Sequence, residues 1–121
     1  MSEKAINIVG YLESGIRAEV LRQKAIASNV ANSQTPGYRR IDVRFADIVA
    51  EAMEKGQDGE ADKLEAEMFH PMNTTVDGKG NDVNLDMEIG ELVKNTLLQK
   101  TYMRLLGDKY RKIDQAISTN G

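Results

Sequence analysis

Residues 28–39 read SNVANSQTPGYR, and they mark the point at which a long helical pattern must end. Asn29 and Asn32 favour helix ends and turns over helix interiors, because their short amides compete for nearby backbone groups. Pro36 biases the residue before it away from helical angles, and Gly37 tolerates a positive φ. The sequence therefore predicts that one helix ends here and that a tight Thr-Pro-Gly-Tyr turn sends the chain elsewhere.

The segment before this turn, from about Ala5 to Val30, has the periodicity of an amphipathic helix. Two glycines, Gly10 and Gly15, each weaken its interior by roughly 1 kcal/mol relative to Ala, so the helix should be marginal on its own. We expect it to be stabilised by covering an apolar stripe that consists of Val9, Leu12, Ile16, Val20, Ala27 and Val30, with Gln23 inside it.

The clearest predicted element is a helix from Leu85 to Ser118, which Asn84 is placed to cap. Its mostly apolar positions alternate steps of four and three, as in the seam of a coiled coil. Further apolar residues such as Val93 and Leu97 lie off the seam, so we expect this helix to contact several others. The seam positions are Leu85, Ile89, Leu92, Thr96, Gln99, Met103, Leu106, Tyr110, Ile113 and Ile117.

The predicted fold is mainly α, with the two long terminal helices pairing as a coiled-coil-like bundle. Residues 1–34 and 81–121 together are expected to form the helical domain, and residues 35–80 a short irregular region. Within that region the pattern predicts an extended segment at 41–45, a short helix ending before Gly56, a mobile polar loop at 55–63, an extended segment at 67–76 and a turn at 77–81.

The composition agrees with helix-on-helix packing in one small domain. Hydrophobic residues make up 40% of the 121 residues, but aromatic residues only 5%, and there is no Trp to centre a compact core.

The net charge of −3 hides a segregation along the chain. Acidic residues dominate from Asp42 to Glu67, and basic residues dominate from Lys94 to Lys112. The two stretches form either two solvated faces or complementary surfaces of neighbouring subunits. The acidic balance, with no recognisable nucleic-acid-binding motif, argues against nucleic-acid binding.

Catalytic and metal chemistry find no support in the sequence. The chain has no cysteine, and its single histidine, His70, has no second imidazole or thiolate to complete a common zinc site. No serine lies in a nucleophile-elbow setting, and no glycine-rich phosphate loop precedes a helix. We therefore predict a protein that is not an enzyme and that uses neither cofactor nor metal nor small-molecule substrate.

Targeting signals are equally weak. The residues after Met1 lack the apolar run of a cleavable signal peptide, and no segment approaches the ~20 apolar residues of a membrane span. Taken alone, these observations indicate a cytoplasmic protein.

The turn also carries a family resemblance. The run from Ala27 to Asn32, followed by the turn, resembles the N-terminal signature of the rod, hook and hook-associated proteins of the bacterial flagellum. Residues 77–88 are similar to the corresponding stretch of proximal rod proteins in this family, apart from an inserted Lys79-Gly80 and Asn84 where those proteins often have Asp. The motif residues are Asn29, Asn32, Thr35, Pro36, Gly37 and Tyr38.

The resemblance implies a structural subunit of the proximal rod, part of the axial drive-shaft for bacterial motility. It implies self-assembly through the terminal helices in the periplasmic part of the basal body, after type III export without a cleaved signal peptide. The implied partners are other rod subunits such as FlgC, the junction protein FliE, and the membrane ring and export gate. The expected assembly interface is Val9, Leu12, Ile16, Val20, Val30, Leu85, Ile89, Leu92, Met103, Leu106, Tyr110, Ile113 and Ile117.

Two questions stay open at this point. The apolar stripes of the two long helices can close on each other within one chain, or they can be completed by neighbouring subunits. A soluble helical adaptor or export chaperone, binding one partner helix through the seam from Leu85 to Ile117, is the alternative function.

Overall fold

Two long helices and a small region between them make up the chain. A computed structural model describes residues 3–120 of the protein, with side chains from residue 7 to residue 119. The elements follow the order α1 (Glu3–Ala31), β1 (Asp42–Arg44), α2 (Ala46–Glu54), a 3₁₀ helix (Asp58–Lys63), β2 (Glu67–Phe69) and α3 (Leu85–Asn120). The predicted mainly α fold with a short irregular middle is confirmed.

The turn after α1 has the predicted form. The side-chain amide of Asn32 donates to the Ser28 carbonyl at 2.9 Å, which satisfies one of the free carbonyls at the helix end. The Tyr38 amide donates to the Thr35 carbonyl at 3.2 Å, and Gly37 has a φ of 76°. Pro followed by a residue with positive φ is the geometry of a type II turn, so Gly37 is required here by its conformation.

The middle region contains an antiparallel ribbon of two short strands. β1 pairs with β2 so that Val43 lies opposite Met68, and Val43 is buried while Met68 is exposed. The short helix α2 ends at Glu54, and Gly56 follows with a φ of 67°. The predicted extended segment, short helix and its glycine stop are therefore observed.

The polar stretch 55–63, predicted as a mobile loop, instead contains the 3₁₀ helix, which packs on α1. Ala61 is buried there, and Arg17 of α1 donates a hydrogen bond to the carbonyl of Asp62. A Cβ at Gly10 would lie 2.8 Å from the Asp62 nitrogen, so glycine permits this close approach. The sequence prediction was wrong because the contact depends on the glycine and on backbone carbonyls, and these produce no hydrophobic pattern.

α1 and α3 pack against each other in antiparallel orientation. Tyr110 near the end of α3 donates to Glu13 near the start of α1, and Asn29 near the end of α1 donates to Glu88 near the start of α3. The predicted cap of α3 is present, since the Asn84 carboxamide oxygen accepts from the Met87 amide at 3.1 Å. Within the part of the chain that the structure describes, no helix is both long and apolar enough to cross a membrane.

Candidate assembly interface

The contact between α1 and α3 includes a series of hydrogen bonds between polar side chains. Asn95 donates to the backbone carbonyl of Glu19 at 2.7 Å and to its carboxylate at 3.1 Å, and both residues are buried. One turn further along α3, Gln99 donates to Gln23 at 3.0 Å and to Asn95 at 2.9 Å. These bonds fix the register of the two helices, because a shift along either axis would leave buried polar groups without partners.

Small residues let the helices approach at the same contact. The ring of Tyr102 lies over Gly15, where an added Cβ would come within 3.3 Å of the ring. Ala18 and Ala25 on α1 are also buried. Close packing at Gly15 thus accompanies the hydrogen bonds, and the buried apolar side chains of Leu12 and Ile26 lie on the same side of α1 as Glu19.

The turn is tied to α3 through Asn29, which is fully buried. Its side-chain amide donates to the Ile41 carbonyl at 2.9 Å and to Glu88 at 3.2 Å. Its carboxamide oxygen accepts from the Ile41 amide at 2.8 Å and from the Tyr38 hydroxyl at 2.9 Å. A single asparagine therefore connects the end of α1, the turn and the first turns of α3.

Buried charges complete this junction. Arg40 donates to Glu88 at 3.0 Å, and its backbone amide donates to Asp82 at 2.5 Å. The guanidinium of Arg39 lies 3.0 Å from the other oxygen of Asp82, as an ion pair that is not aligned as a hydrogen bond. Asp82 and Glu88 are almost completely buried, so both carboxylates depend on these partners.

The environment of Asp82 lowers its pKa. Burial opposes ionisation, but the backbone amide of Arg40 and the guanidinium of Arg39 outweigh it and hold the pKa of Asp82 below its ordinary value. The junction is therefore built around an ionised carboxylate.

The loop before α3 also binds the turn directly. Asn81 donates to the Asn32 carbonyl at 2.8 Å and to the Thr35 carbonyl at 2.9 Å, and the Gly37 amide donates to the Lys79 carbonyl at 2.8 Å. The motif residues thus serve chiefly to join the end of α1 to the start of α3.

Most of the predicted seam on α3 faces away from α1. Leu106 and Ile113 are partly buried, whereas the other apolar seam residues are exposed. The residues that face α1 include Glu88, Asn95 and Tyr102, which are displaced by roughly a fifth of a turn from the seam. The exposed seam residues and their exposed fractions are Leu85 44%, Ile89 57%, Leu92 40%, Met103 61%, Tyr110 47% and Ile117 59%.

The predicted stripe on α1 is divided. Leu12 is buried, Val9 and Ile16 are partly buried, and Val20 and Val30 are exposed. The exposed end of the stripe is the half nearer to the turn.

Both stripes border the same side of the helix pair. Gln23 lies within the α1 stripe and Gln99 within the α3 seam, and the hydrogen bond between them marks the line where the stripes meet. The middle region lies elsewhere, with Phe45 and Val49 facing a cleft beside Leu98 and Tyr102. The structure therefore leaves one apolar side of the helix pair uncovered.

Sequence reasoning missed the buried polar residues of the helix contact. A signal is present in the chain, since Glu88, Asn95 and Tyr102 recur at intervals of seven beside the apolar seam. The members of this second repeat are polar or aromatic, so the hydrophobic pattern does not distinguish them from a solvent face.

His70 is exposed, and its Nδ1 lies 3.2 Å from the Arg40 carbonyl. Among the described residues, no group of three or more His, Cys, Asp or Glu side chains is arranged to hold a metal ion.

Comparison with known proteins points to the bacterial flagellum. The family model described as flagella basal body rod protein matches residues 12–39, which cover most of α1 and the turn. The flagellar basal body rod protein FlgB of Proteus mirabilis strain HI4320 is 28% identical over 116 residues, which is 80% of this chain and 83% of the relative. FlgB of Aeromonas hydrophila is 26% identical over 127 residues, covering 95% of this chain and 93% of the relative. FlgB of Escherichia coli K12 is 31% identical over 58 residues, covering 48% of this chain and 42% of the relative.

Proposed function

Because the chain belongs to the flagellar basal body rod protein family, we propose that it is a structural subunit of the proximal rod and assembles there through its two terminal helices. In this role it forms part of the axial drive-shaft for bacterial motility. The similarity to FlgB proteins along most of the chain supports the proximal position over the hook.

The observation that carries the proposal is the uncovered apolar side of the α1–α3 pair. A helix pair that only had to fold would place its apolar seam inward, yet here the contact within the chain uses Glu19, Asn95 and Glu88. The outward seam keeps residues such as Ile89 and Met103 more than half exposed. Contiguous exposed apolar surface of this kind marks a site for another protein.

The energetics favour a neighbour on this side. Burying a large apolar side chain completely contributes about 1.5–3 kcal/mol relative to leaving it exposed, and these side chains are about half exposed. Several such residues from each subunit would supply enough free energy to offset part of the cost of association.

The partners follow from the family resemblance. We infer that other rod subunits such as FlgC, the junction protein FliE, and the membrane ring and export gate are its neighbours, in the periplasmic part of the basal body. A soluble adaptor that binds one partner helix would use the same α3 seam, and assembly measurements separate the two functions.

The test places a charge on the seam. Met103→Asp should prevent incorporation into basal bodies while leaving the free protein folded, because Met103 is 61% exposed. Gln115→Asp, which introduces the same residue at another exposed position of α3, is the matched control.

Purified basal bodies are then analysed by immunoblotting and electron microscopy, with circular dichroism and export of each variant as checks. Normal incorporation of Met103→Asp would contradict assembly through the seam. A discrete soluble heterodimer, with no protein in the basal bodies, would favour the adaptor.

A further inference from the structure

The acidic and basic stretches of the chain form two separate surfaces in the fold. Asp47, Glu51 and Glu54 recur at steps of four and three along the outer side of α2, and all three are exposed. We name these three residues the acidic ridge. On α3, the basic ridge consists of the exposed residues Lys100, Arg104 and Arg111. At 100° per residue, each set lies within a narrow sector of its helix.

Neither ridge is neutralised within the chain. Glu51 pairs with Lys55 at 2.7 Å, and Arg111 pairs with Asp108. Across the described residues, the other ridge members form no ion pair. Each ridge therefore keeps a net charge available to another molecule.

The two ridges cannot meet within one molecule. Phe45, just before α2, and Val49 of α2 line the same cleft as Leu98 and Tyr102 of α3. The basic ridge projects from roughly the opposite side of α3, half a turn away from Leu98 and Tyr102. The complementarity can be used only between molecules.

An exposed apolar side chain lies beside the basic ridge. Leu97, one turn before Lys100, is 60% exposed. Leu97, Lys100, Thr101 and Arg104 line a shallow depression. The basic ridge therefore borders a depression in which a side chain of another molecule can bind.

We propose that a second copy of this chain docks α2 onto the C-terminal half of α3, with the acidic ridge of one subunit facing the basic ridge of the next. Because the two surfaces differ and lie on different sides of the molecule, the contact is heterologous and can repeat from subunit to subunit. The inference rests on the proposed function, in which copies are neighbours, and adds a contact distinct from the apolar seam.

Charge reversal tests the contact in solution. Asp47→Lys/Glu51→Lys/Glu54→Lys and Lys100→Glu/Arg104→Glu/Arg111→Glu should each weaken self-association of the full chain at least about tenfold. Mixing the two variants should restore association, because each then meets an oppositely charged ridge on the other. The six-fold variant, with both ridges reversed in one chain, should also associate.

The matched control, Glu60→Lys/Glu65→Lys/Glu67→Lys, changes the net charge equally at exposed positions outside the ridges. Sedimentation velocity over a concentration series gives the association constant, and circular dichroism verifies folding. Association of the wild type should weaken strongly at about 1 M salt, where the Debye length is about 3 Å.

A wild-type chain that stays monomeric at all concentrations overturns the inference, and so does a mixture that fails to recover association. Incorporation into basal bodies is measured separately. Wild-type protein that enters basal bodies without salt-sensitive self-association leaves the proposed function standing, whereas absence from basal bodies contradicts the proposed function itself.

Discussion

At the scale of single residues, buried polar groups determine how the turn and α3 meet. Asn29 and Arg40 both donate to Glu88, and the backbone amide of Arg40 donates to Asp82. Each of these buried groups would be costly to bury alone. Such a network adds little net stability compared with an apolar core, but it permits only one arrangement. The network therefore acts mainly by fixing the direction in which the chain leaves the helix pair.

The pH dependence of stability should report on Asp82. Its pKa is lower in the folded protein than in the unfolded chain, so its contribution is fully present above the unfolded value of about 3.9 and is lost as pH falls through the folded pKa. Asp82→Asn should lower the free energy of unfolding at pH 7 by roughly 1.5–3 kcal/mol, the range for hydrogen bonds to charged groups. The difference in free energy of unfolding between wild type and Asp82→Asn should become smaller below about pH 4.

Urea unfolding between about pH 3 and about pH 7 measures this difference. Asp86→Asn is the control, since Asp86 is an exposed carboxylate four residues further along the chain, in the first turn of α3. If the difference in free energy of unfolding between wild type and Asp82→Asn stays constant from neutral to acidic pH, the ionisation of Asp82 is not coupled to folding.

At the scale of elements, two helix glycines have opposite roles. Gly10→Ala would place a Cβ 2.8 Å from the Asp62 nitrogen and should push the 3₁₀ helix away from α1. Gly90 on α3 has nothing within 4 Å of the position that an added methyl group would take, so Gly90→Ala should gain helix propensity and stabilise by about 0.5–1 kcal/mol.

The two variants form a matched pair, because each adds one methyl group to a helix. In Gly90→Ala the added group is exposed, and in Gly10→Ala it lies under the 3₁₀ helix. Thermal unfolding of both gives the comparison, with a loss expected for Gly10→Ala and a gain for Gly90→Ala. Equal effects of the two changes would mean that the 3₁₀ helix does not constrain α1.

The elements themselves could be predicted from the sequence far better than their faces. Periodicity, the Asn84 cap and the Pro36-Gly37 turn placed both long helices within one or two residues of their ends. The direction of each face could not be predicted in the same way, because the hydrophobic pattern identifies an apolar stripe and not the molecule that covers it. The contact between Asn95 and Glu19 is long-range and polar, so no local pattern predicts it.

At the scale of the whole molecule, the residues that hold the two helices together differ from the apolar residues that stay exposed on the seam. The helix contact inside the chain is specified by hydrogen bonds, while the seam beside it keeps its apolar residues uncovered. A monomer organised in this way can have a defined shape before assembly without hiding the surface that we propose for assembly. The last turns of α3, from Arg111 to Thr119, are exposed apart from Ile113, so they gain little from this contact.

Hydrogen exchange of the dilute monomer should therefore divide α3 into two parts. Amides between Leu92 and Tyr102 should exchange more slowly than those from Arg111 onward, because only the first part packs on α1. Substitutions at two adjacent positions of α3 test whether packing on α1 causes this protection. Tyr102→Ala removes the ring over Gly15 and should speed exchange of the protected part at least about tenfold, whereas Met103→Ala, at a 61% exposed position, should leave it nearly unchanged.

Mass spectrometry of the exchanged protein after peptic digestion resolves these segments. Equal effects of the two substitutions would mean that α3 does not present Tyr102 to α1 in the free protein. The helix pair would then form only with its neighbours, and the seam, rather than the polar contact, would define its register.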